Sequence, residues 1–436
     1  MVRLRNRLIQ GTAFNLIAVA FNQGSTLIIS IIVARILMKE SFGEYAMVQS
    51  TLLTVATLSQ LAIGYTVSKY LAEYRSGDPE KAGRIMGLCA LVSVVTAGLG
   101  AFLPIAVAPW LAGAILKAPH LGSALVIGSV FVLFSSINGY QTGALSGLEA
   151  YRSLAKAGVA SGIVAVVIIA LCAWWGGLNG TLIGLSVSAF FRCLIHARWL
   201  RRETRAQGIK PSYCGFKQEK SVITKFALPA AMAGYYSVPM IWLASIFLVR
   251  QPGGYGEMAL YASSSSVRMF VLFIPQVINN VSLSILNNIK GSGNRQRYTR
   301  VYMTNVLIIF IATVAVALVF GLLGDAILIV FGKEFGDGKA TLQVLMICTV
   351  FEGVATSLYQ HLQAQGKMWT SFFLINVPRE TLFVILAFMF VPTQGAVGLS
   401  IAYTLCWLMT LVLIFILVYH DRAAIADSHA RVVVSL

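Results

Sequence analysis

Long apolar stretches that contain no acidic or basic residue alternate with short polar segments along most of the chain. The first covers residues 8–34, and further ones cover residues 45–68, 85–116 and 118–148. Because a hydrocarbon core about 30 Å thick needs roughly 20 apolar residues per helix, each stretch is long enough to cross a membrane. The pattern therefore predicts an all-α integral membrane protein.

Two of the stretches are too long for one helix and contain turn-forming residues. Residues 157–191 include a glycine-rich segment at 176–180, and residues 381–420 include Pro392 and Gly395. We interpret each of them as two helices joined by a tight turn. With these pairs, and with three spans that carry an internal charge, the sequence predicts twelve transmembrane helices.

The basic residues are distributed unequally between the two sides of this predicted topology. Of the 33 lysines and arginines, 25 lie on the side of the N-terminus, six on the opposite side and two within spans. Because basic loops remain in the cytoplasm, both termini are predicted to be cytoplasmic. The six cysteines lie in spans or on the cytoplasmic side, so neither a disulfide framework nor a metal site is expected.

The amino-acid composition excludes several classes of function. Only 11% of the residues are charged and 58% are hydrophobic, whereas soluble domains have about 25% charged residues. This excludes a soluble enzyme, a disordered protein and a free nucleic-acid binder, even though the formal net charge is +17. Most of the basic residues are interpreted as topology determinants that face anionic membrane lipids, and nucleic acid is not an expected partner.

The longest predicted cytoplasmic segment divides the chain into two sets of six spans. We expect an N-terminal six-helix bundle at 1–197, a basic cytoplasmic linker at 198–224, a C-terminal six-helix bundle at 225–419 and a cytoplasmic tail at 420–436.

Short matches in corresponding spans indicate that the two halves arose by duplication. Tyr140-Gln141 followed by Gly147 corresponds to Tyr359-Gln360 followed by Gly366. Gly43-Glu44-Tyr45-Ala46 corresponds to Ala259-Leu260-Tyr261-Ala262, and Gly184-Leu185-Ser186 corresponds to Gly398-Leu399-Ser400. Because each half has an even number of spans, both halves have the same orientation. This is a parallel repeat of the kind found in transporters, with a substrate cavity expected between the halves.

Four charged residues lie inside predicted spans, where a charge costs at least a few kcal/mol unless it faces a cavity or a partner. They are Arg268 in span 8, Glu352 in span 10, and Arg379 and Glu380 in span 11. One interpretation is a hydrated cavity for an anionic ligand, because the planar guanidinium matches phosphate oxygens. The other is structural pairing of Arg268 with Glu352, and of Arg379 with another helix.

Neighbouring residues on a helix do not share a face, so Arg379 and Glu380 cannot serve only each other, and at least one needs another partner. In span 1, Asn15 and Asn22 lie on one helical face. They are candidates for the cavity or for interhelical hydrogen bonds.

No catalytic residue is predicted. The chain contains no Walker A sequence, so it is not its own ATPase. A membrane glycosyltransferase or polysaccharide ligase is disfavoured, because the short outer loops hold no His, Asp and Glu cluster suited to acid–base work.

Several of these segments resemble the polysaccharide-transport (Wzx-type, O-antigen and exopolysaccharide) flippases of the multidrug/oligosaccharidyl-lipid/polysaccharide exporter (MOP) superfamily. The resemblance is carried by Arg5-Asn6-Arg7 with Asn15, Ala34-Arg35-Ile36-Leu37, Phe42-Gly43-Glu44-Tyr45-Ala46, Tyr140-Gln141 with Gly147-Leu148-Glu149, and Phe226-Ala227-Leu228-Pro229.

The resemblance implies two six-helix bundles in the inner membrane that move an undecaprenyl-pyrophosphate-linked oligosaccharide from the inner to the outer leaflet. It implies coupling to a proton or sodium gradient without a cofactor, and polysaccharide polymerase and chain-length proteins as partners. Arg268 and Arg379, with Asn15 and Asn22, would then bind the anionic headgroup. Glu352 and Glu380 would be the coupling groups. A drug or cation antiporter on the same fold remains the alternative.

Overall fold

Every regular element in the described part of the computed structural model is a helix, which confirms the predicted all-α class. The structure describes residues 2–213, 228–279, 282, 286, 295–365 and 368–434, with side chains described between residues 20 and 417 except at these gaps and a few nearby positions. The side chain of Asn15, residues 214–224 of the predicted linker, and the side chains of the predicted tail lie outside the described residues.

The helices in the first part of the chain are α1 (Val2–Ser59), α2 (Ile63–Tyr74), α3 (Pro79–Trp110, extended by a π-helical turn Leu111–Ile115), α4 (Leu121–Gly147), α5 (Tyr151–Ala206), α6 (Leu228–Val249) and α7 (Gly254–Val271). Local sequence explains the start of α3. The Asp78 side chain accepts a hydrogen bond from the Lys81 backbone N–H at 2.9 Å, and Pro79 occupies the first turn.

The later helices are α8 (Arg295–Leu322), α9 (Gly324–Phe331), α10 (Lys339–Gln365), α11 (Met368–Ser371) and α12 (Val377–Val434). A 3₁₀ turn, Lys333–Gly338, precedes α10, and a π-helical turn, Phe372–Asn376, precedes α12.

Eight helical segments among the described residues are long and apolar enough to cross a membrane. Three of them, Ala20–Ser59, Tyr151–Ala206 and Phe372–Leu417, have 40, 56 and 46 residues, at least about twice the length that one crossing needs. Each contains non-helical backbone, at Met38, at Gly176 and Gly177, and at Gly395, respectively. The two turns expected from the sequence are therefore confirmed, whereas the count of twelve spans stays a prediction.

The two glycine turns have the same backbone geometry. Gly177 has φ 54° and ψ −132°, and Gly395 has φ 54° and ψ −128°. A Cβ atom on Gly180, three residues after the first turn, would lie 2.1 Å from the carbonyl oxygen of the residue eight positions before it. A Cβ atom on Gly398, three residues after the second turn, would lie 2.4 Å from the corresponding oxygen. The positive φ and the close return of the chain both require glycine, and their recurrence at corresponding positions is what a duplication predicts.

The chain forms two compact units. The first comprises Met1–Ser263 with Val330–Phe335, and the second comprises Ser264–Ile329 with Gly336–Leu436. In the first unit α5 packs along α1 and α4, and in the second α10 packs against α8 and α12.

Glycines bring α2 and α4 into backbone contact in the first unit. A Cβ at Gly143 would lie 2.1 Å from the carbonyl oxygen of Gly64, and one at Gly64 would lie 2.7 Å from that of Gly139. Small residues at such spacing are typical of close helix packing in membranes. The segment from Tyr140 to Gly147, which carried part of the family resemblance, is thus a packing surface.

A break between α1 and α2 was not predicted from the sequence. Leu61 and Ala62 both have positive φ, 46° and 51°, a conformation that disfavours residues with a Cβ. The nearby carbonyl of Leu58 accepts a hydrogen bond from the Tyr235 hydroxyl of α6 at 2.6 Å. A tertiary hydrogen bond thus supports a strained interruption that contains neither glycine nor proline.

Loops predicted to share a side of the membrane lie together in the first unit. On the predicted inner side, Arg75 pairs with Glu149 at 2.6 Å. On the predicted outer side, Arg35 donates to the Val330 carbonyl at 2.7 Å, and Arg250 donates to the Ala114 carbonyl at 3.2 Å. Each contact joins two segments assigned to the same side, although which side is cytoplasmic stays a prediction.

Candidate functional site

Arg268 forms an ion pair with Glu352 within the second unit, between the C-terminal part of α7 and α10. Its Nη1 atom, on α7, lies 2.5 Å from Oε2 of Glu352 on α10 and donates to the Tyr403 hydroxyl of α12 at 3.2 Å. The guanidinium carbon also lies 4.6 Å from the centroid of the Tyr403 ring. One arginine therefore connects three helices.

Both side chains of this ion pair are largely buried. The side chains of Arg268 and Glu352 are only 10% and 14% exposed. At a membrane-spanning position neither charge has bulk water as a partner, so each depends on the other. The structural pairing that the sequence left open is thus present, and it neutralises Arg268.

Arg379 forms a second, local ion pair. Its Nε and Nη2 atoms donate to the same carboxylate oxygen of Glu380 at 3.0 and 2.5 Å, and Glu380 is 3% exposed. The two neighbours pair directly although they do not share a helical face, because the arginine side chain is long enough to turn back along the helix. Arg379 also has a further partner, since its guanidinium carbon lies 4.6 Å from the ring centroid of Trp407.

Tyr403 and Trp407 link the two ion pairs. They are four residues apart on α12, so they share one face of the helix, and their ring centroids are 6.3 Å apart. We call the set of Glu352, Arg268, Tyr403, Trp407, Arg379 and Glu380 the arginine–aromatic ladder. It contains two arginines and two carboxylates, so its formal net charge is zero.

Sequence reasoning missed the two aromatic members of the ladder. The available signal was a tyrosine and a tryptophan four residues apart in an otherwise apolar span, each with a polar group at the edge of its ring. Without the fold, nothing in the sequence connected them to Arg268 and Arg379, which are more than 100 and about 25 residues away along the chain.

A separate polar network lies within the second unit. Asn305 of α8 donates to Asn279 at 3.2 Å and to Ser357 at 2.9 Å, and it accepts a hydrogen bond from Ser282. Gln360 donates to the backbone carbonyl of Asn279 at 2.5 Å. All five residues are buried, and neutral polar groups paired in this way connect helices within a membrane.

Asn22, the remaining predicted residue whose side chain the structure describes, does not belong to the ladder. Asn22 is exposed on α1 in the first unit, and its backbone carbonyl accepts a hydrogen bond from the Thr26 hydroxyl at 2.9 Å. In the part of the chain that the structure describes, no three His, Cys, Asp or Glu side chains gather closely enough to hold a metal ion.

Comparison with solved structures identifies the fold as that of a membrane transporter. The chain is similar to an inward-facing multidrug resistance MATE family transporter of the MOP superfamily, with a TM-score of 0.80, 15% identity and coverage of 95% of this chain and 99% of that one. It is also similar to a MOP superfamily transporter from Pyrococcus furiosus, with a TM-score of 0.69, 16% identity and 96% coverage of both chains.

Sequence comparison then defines the family. The family model described as "Polysaccharide biosynthesis protein" matches residues 8–282, and the chain belongs to this family. A curated relative, the EPS I polysaccharide export inner membrane protein EpsE of Ralstonia nicotianae, is 21% identical over 366 residues, which cover 81% of this chain and 80% of the relative. The apolar helices and these relatives make the chain a multi-pass inner-membrane protein.

Proposed function

We propose that this protein is a flippase that moves an undecaprenyl-pyrophosphate-linked oligosaccharide from the inner to the outer leaflet for surface polysaccharide synthesis. The observation that carries the proposal is the pair of arginines at the ladder, Arg268 buried and Arg379 18% exposed, each set against an aromatic ring. Membership of the polysaccharide biosynthesis family and the polysaccharide export role in the name of the Ralstonia relative support it. The curated relative and the fold each favour a transporter over an enzyme.

The chemistry of the headgroup matches the ladder. A guanidinium can donate two parallel hydrogen bonds to a phosphate, as it does to a carboxylate. A pyrophosphate can therefore take the place of Glu352 or Glu380 as the partner of the arginine. This exchange keeps each arginine paired and releases a carboxylate.

We assign ion coupling to Glu352 rather than Glu380. The Arg268–Glu352 pair joins residues 84 positions apart on α7 and α10, whereas Arg379 and Glu380 are adjacent on α12. Breaking the Arg268–Glu352 pair removes a contact between two helices. Breaking the Arg379–Glu380 pair changes only side-chain conformations within one helix. Protonation of Glu352, or its neutralisation by sodium, would release Arg268 for the substrate and loosen the contact between α7 and α10.

The proposed topology has twelve spans in two six-helix bundles with both termini in the cytoplasm. The three double-length helices with internal breaks and the same-side loop contacts support it. The expected partners are membrane lipids and the polymerase and chain-length proteins that use the translocated glycan.

Reconstitution tests this function. Purified protein in liposomes is expected to translocate the pyrophosphate-linked oligosaccharide, and Arg268→Ala and Glu352→Gln are expected to lower the rate at least about tenfold. Lys339→Ala is the matched control, because Lys339 also pairs with a carboxylate, Asp325, at 2.5 Å but is 45% exposed. Wild-type rates in both ladder variants would contradict the site assignment.

A drug or cation antiporter is the second candidate. It is favoured by the similarity to a multidrug resistance MATE transporter and by the zero net charge of the ladder, which does not repel cations. If the protein is such an antiporter, cells that express it are expected to resist cationic drugs, and the Arg268→Ala variant is expected to preserve this resistance. Resistance that is absent, or lost in Arg268→Ala, would count against it.

A further inference from the structure

The indole N–H of Trp407 is a hydrogen-bond donor without an acceptor at the ladder. Trp407 is 9% exposed, and no acceptor among the described residues lies within hydrogen-bonding distance of its Nε1 atom. Buried polar groups in folded proteins are nearly always paired, so an exception calls for an explanation. The face of the same ring is already occupied, because the Arg379 guanidinium lies against it.

We propose that Trp407 is a direct ligand of the substrate, donating its indole N–H to a phosphate oxygen that Arg379 also binds. This inference rests on the proposed function and assigns the residue that distinguishes a diphosphate headgroup. An anion held by Arg379 lies beside the Trp407 ring, since the guanidinium carbon is 4.6 Å from the ring centroid. An indole N–H can only donate, so its natural partner is an oxygen with no proton, such as that of an ionised phosphate.

The spacing of the ladder favours two linked phosphates over one. Tyr403 and Trp407 are separated by about one helical turn of roughly 5.4 Å, and each ring holds one guanidinium against its face. Two guanidinium groups, each set against one of two rings whose centroids are 6.3 Å apart, match a ligand with two linked anionic groups better than a ligand with one. A single phosphate would satisfy only one of them.

Tyr403 has a different role, that of a positioning residue. Its hydroxyl accepts from Arg268 at 3.2 Å and its ring faces the same guanidinium. Both contacts orient Arg268 without requiring Tyr403 to touch the substrate.

The test compares binding of farnesyl pyrophosphate and farnesyl monophosphate by calorimetry, using the full-length protein in detergent. We expect the wild type to prefer the pyrophosphate. Trp407→Phe keeps an aromatic ring for Arg379 but removes the N–H, and is expected to weaken pyrophosphate binding about tenfold and to narrow the preference over the monophosphate. Tyr403→Phe is expected to weaken binding of both probes by a similar, smaller factor.

Trp199→Phe is the matched control, because Arg202 lies 5.5 Å from the Trp199 ring in the first unit. It is expected to bind both probes like the wild type. Equal pyrophosphate affinity in Trp407→Phe and the wild type would overturn the inference.

A second measurement follows binding in the wild-type protein and uses the variant only to assign one resonance. In wild-type protein labelled with ¹⁵N-tryptophan, one of the seven indole N–H resonances is expected to shift on addition of farnesyl pyrophosphate and to be missing from spectra of Trp407→Phe. An unshifted Trp407 resonance at saturation would overturn the inference and leave the proposed function standing. A wild type that binds neither probe would overturn both.

Discussion

The ion pair between Arg268 and Glu352 makes a quantitative prediction about stability. The perturbation is a double-mutant cycle with Arg268→Gln, Glu352→Gln and the double variant. Both side chains are nearly nine-tenths buried, at 10% and 14% exposed, and their charged atoms are 2.5 Å apart. Removing one partner of a buried pair strands the other charge and costs about 3–5 kcal/mol.

We therefore expect each single variant to lose about 3 kcal/mol of unfolding free energy and the double variant to lose no more than either single variant. The resulting coupling energy is about 3 kcal/mol. Unfolding by SDS in mixed micelles, followed by tryptophan fluorescence, measures all four proteins under one set of conditions.

The chain supplies a control with the same distance and different burial. Lys339 and Asp325 also lie 2.5 Å apart, but their side chains are 45% and 58% exposed. Water screens such a pair, so its coupling is expected at about 0.2–1 kcal/mol. A coupling for Arg268 and Glu352 as small as that of the exposed pair would refute the reasoning that burial at this site makes the two charges interdependent.

Three further variants test the packing of the first unit by the same unfolding assay. Gly143→Ala is expected to lose about 1–3 kcal/mol, because its Cβ would lie 2.1 Å from the Gly64 carbonyl oxygen; wild-type stability would contradict this close approach. Ala62→Gly is expected to gain about 1 kcal/mol by relieving a positive φ, and a loss would show that the break is not strained. Phe335→Ala is expected to lose about 3–5 kcal/mol, because its ring is 1% exposed. Phe388→Ala, at a 66% exposed position of the second unit, is the control and should keep wild-type stability.

The sequence predicted those parts of the fold that depend on local composition. Apolar stretches of sufficient length became helices, and the turns at Gly177 and Gly395 fell where glycine and proline clustered. The break at Leu61 and Ala62 could not be predicted, because neither residue favours a positive φ. Contacts with other helices, such as the hydrogen bond from Tyr235, accompany that break.

The candidate site was predictable in part for a similar reason. A charge inside an apolar span is visible in the sequence, and opposite charges in two spans led to the alternative that Arg268 pairs with Glu352. The direct pairing of Arg379 with Glu380 depends on how a flexible side chain turns, which helical periodicity does not describe. The roles of Tyr403 and Trp407 depend on the packing of α12 against the arginines, and only the fold supplies that.

The measurement that most directly tests the central claim is the lipid inventory of cells from which this protein has been removed. If the protein is the proposed flippase, undecaprenyl-pyrophosphate-linked oligosaccharide accumulates on the inner leaflet and surface polysaccharide is lost. The wild-type gene restores both, whereas Arg268→Ala, expressed at the same level, does not. Normal surface polysaccharide without an accumulated lipid-linked intermediate would contradict the account.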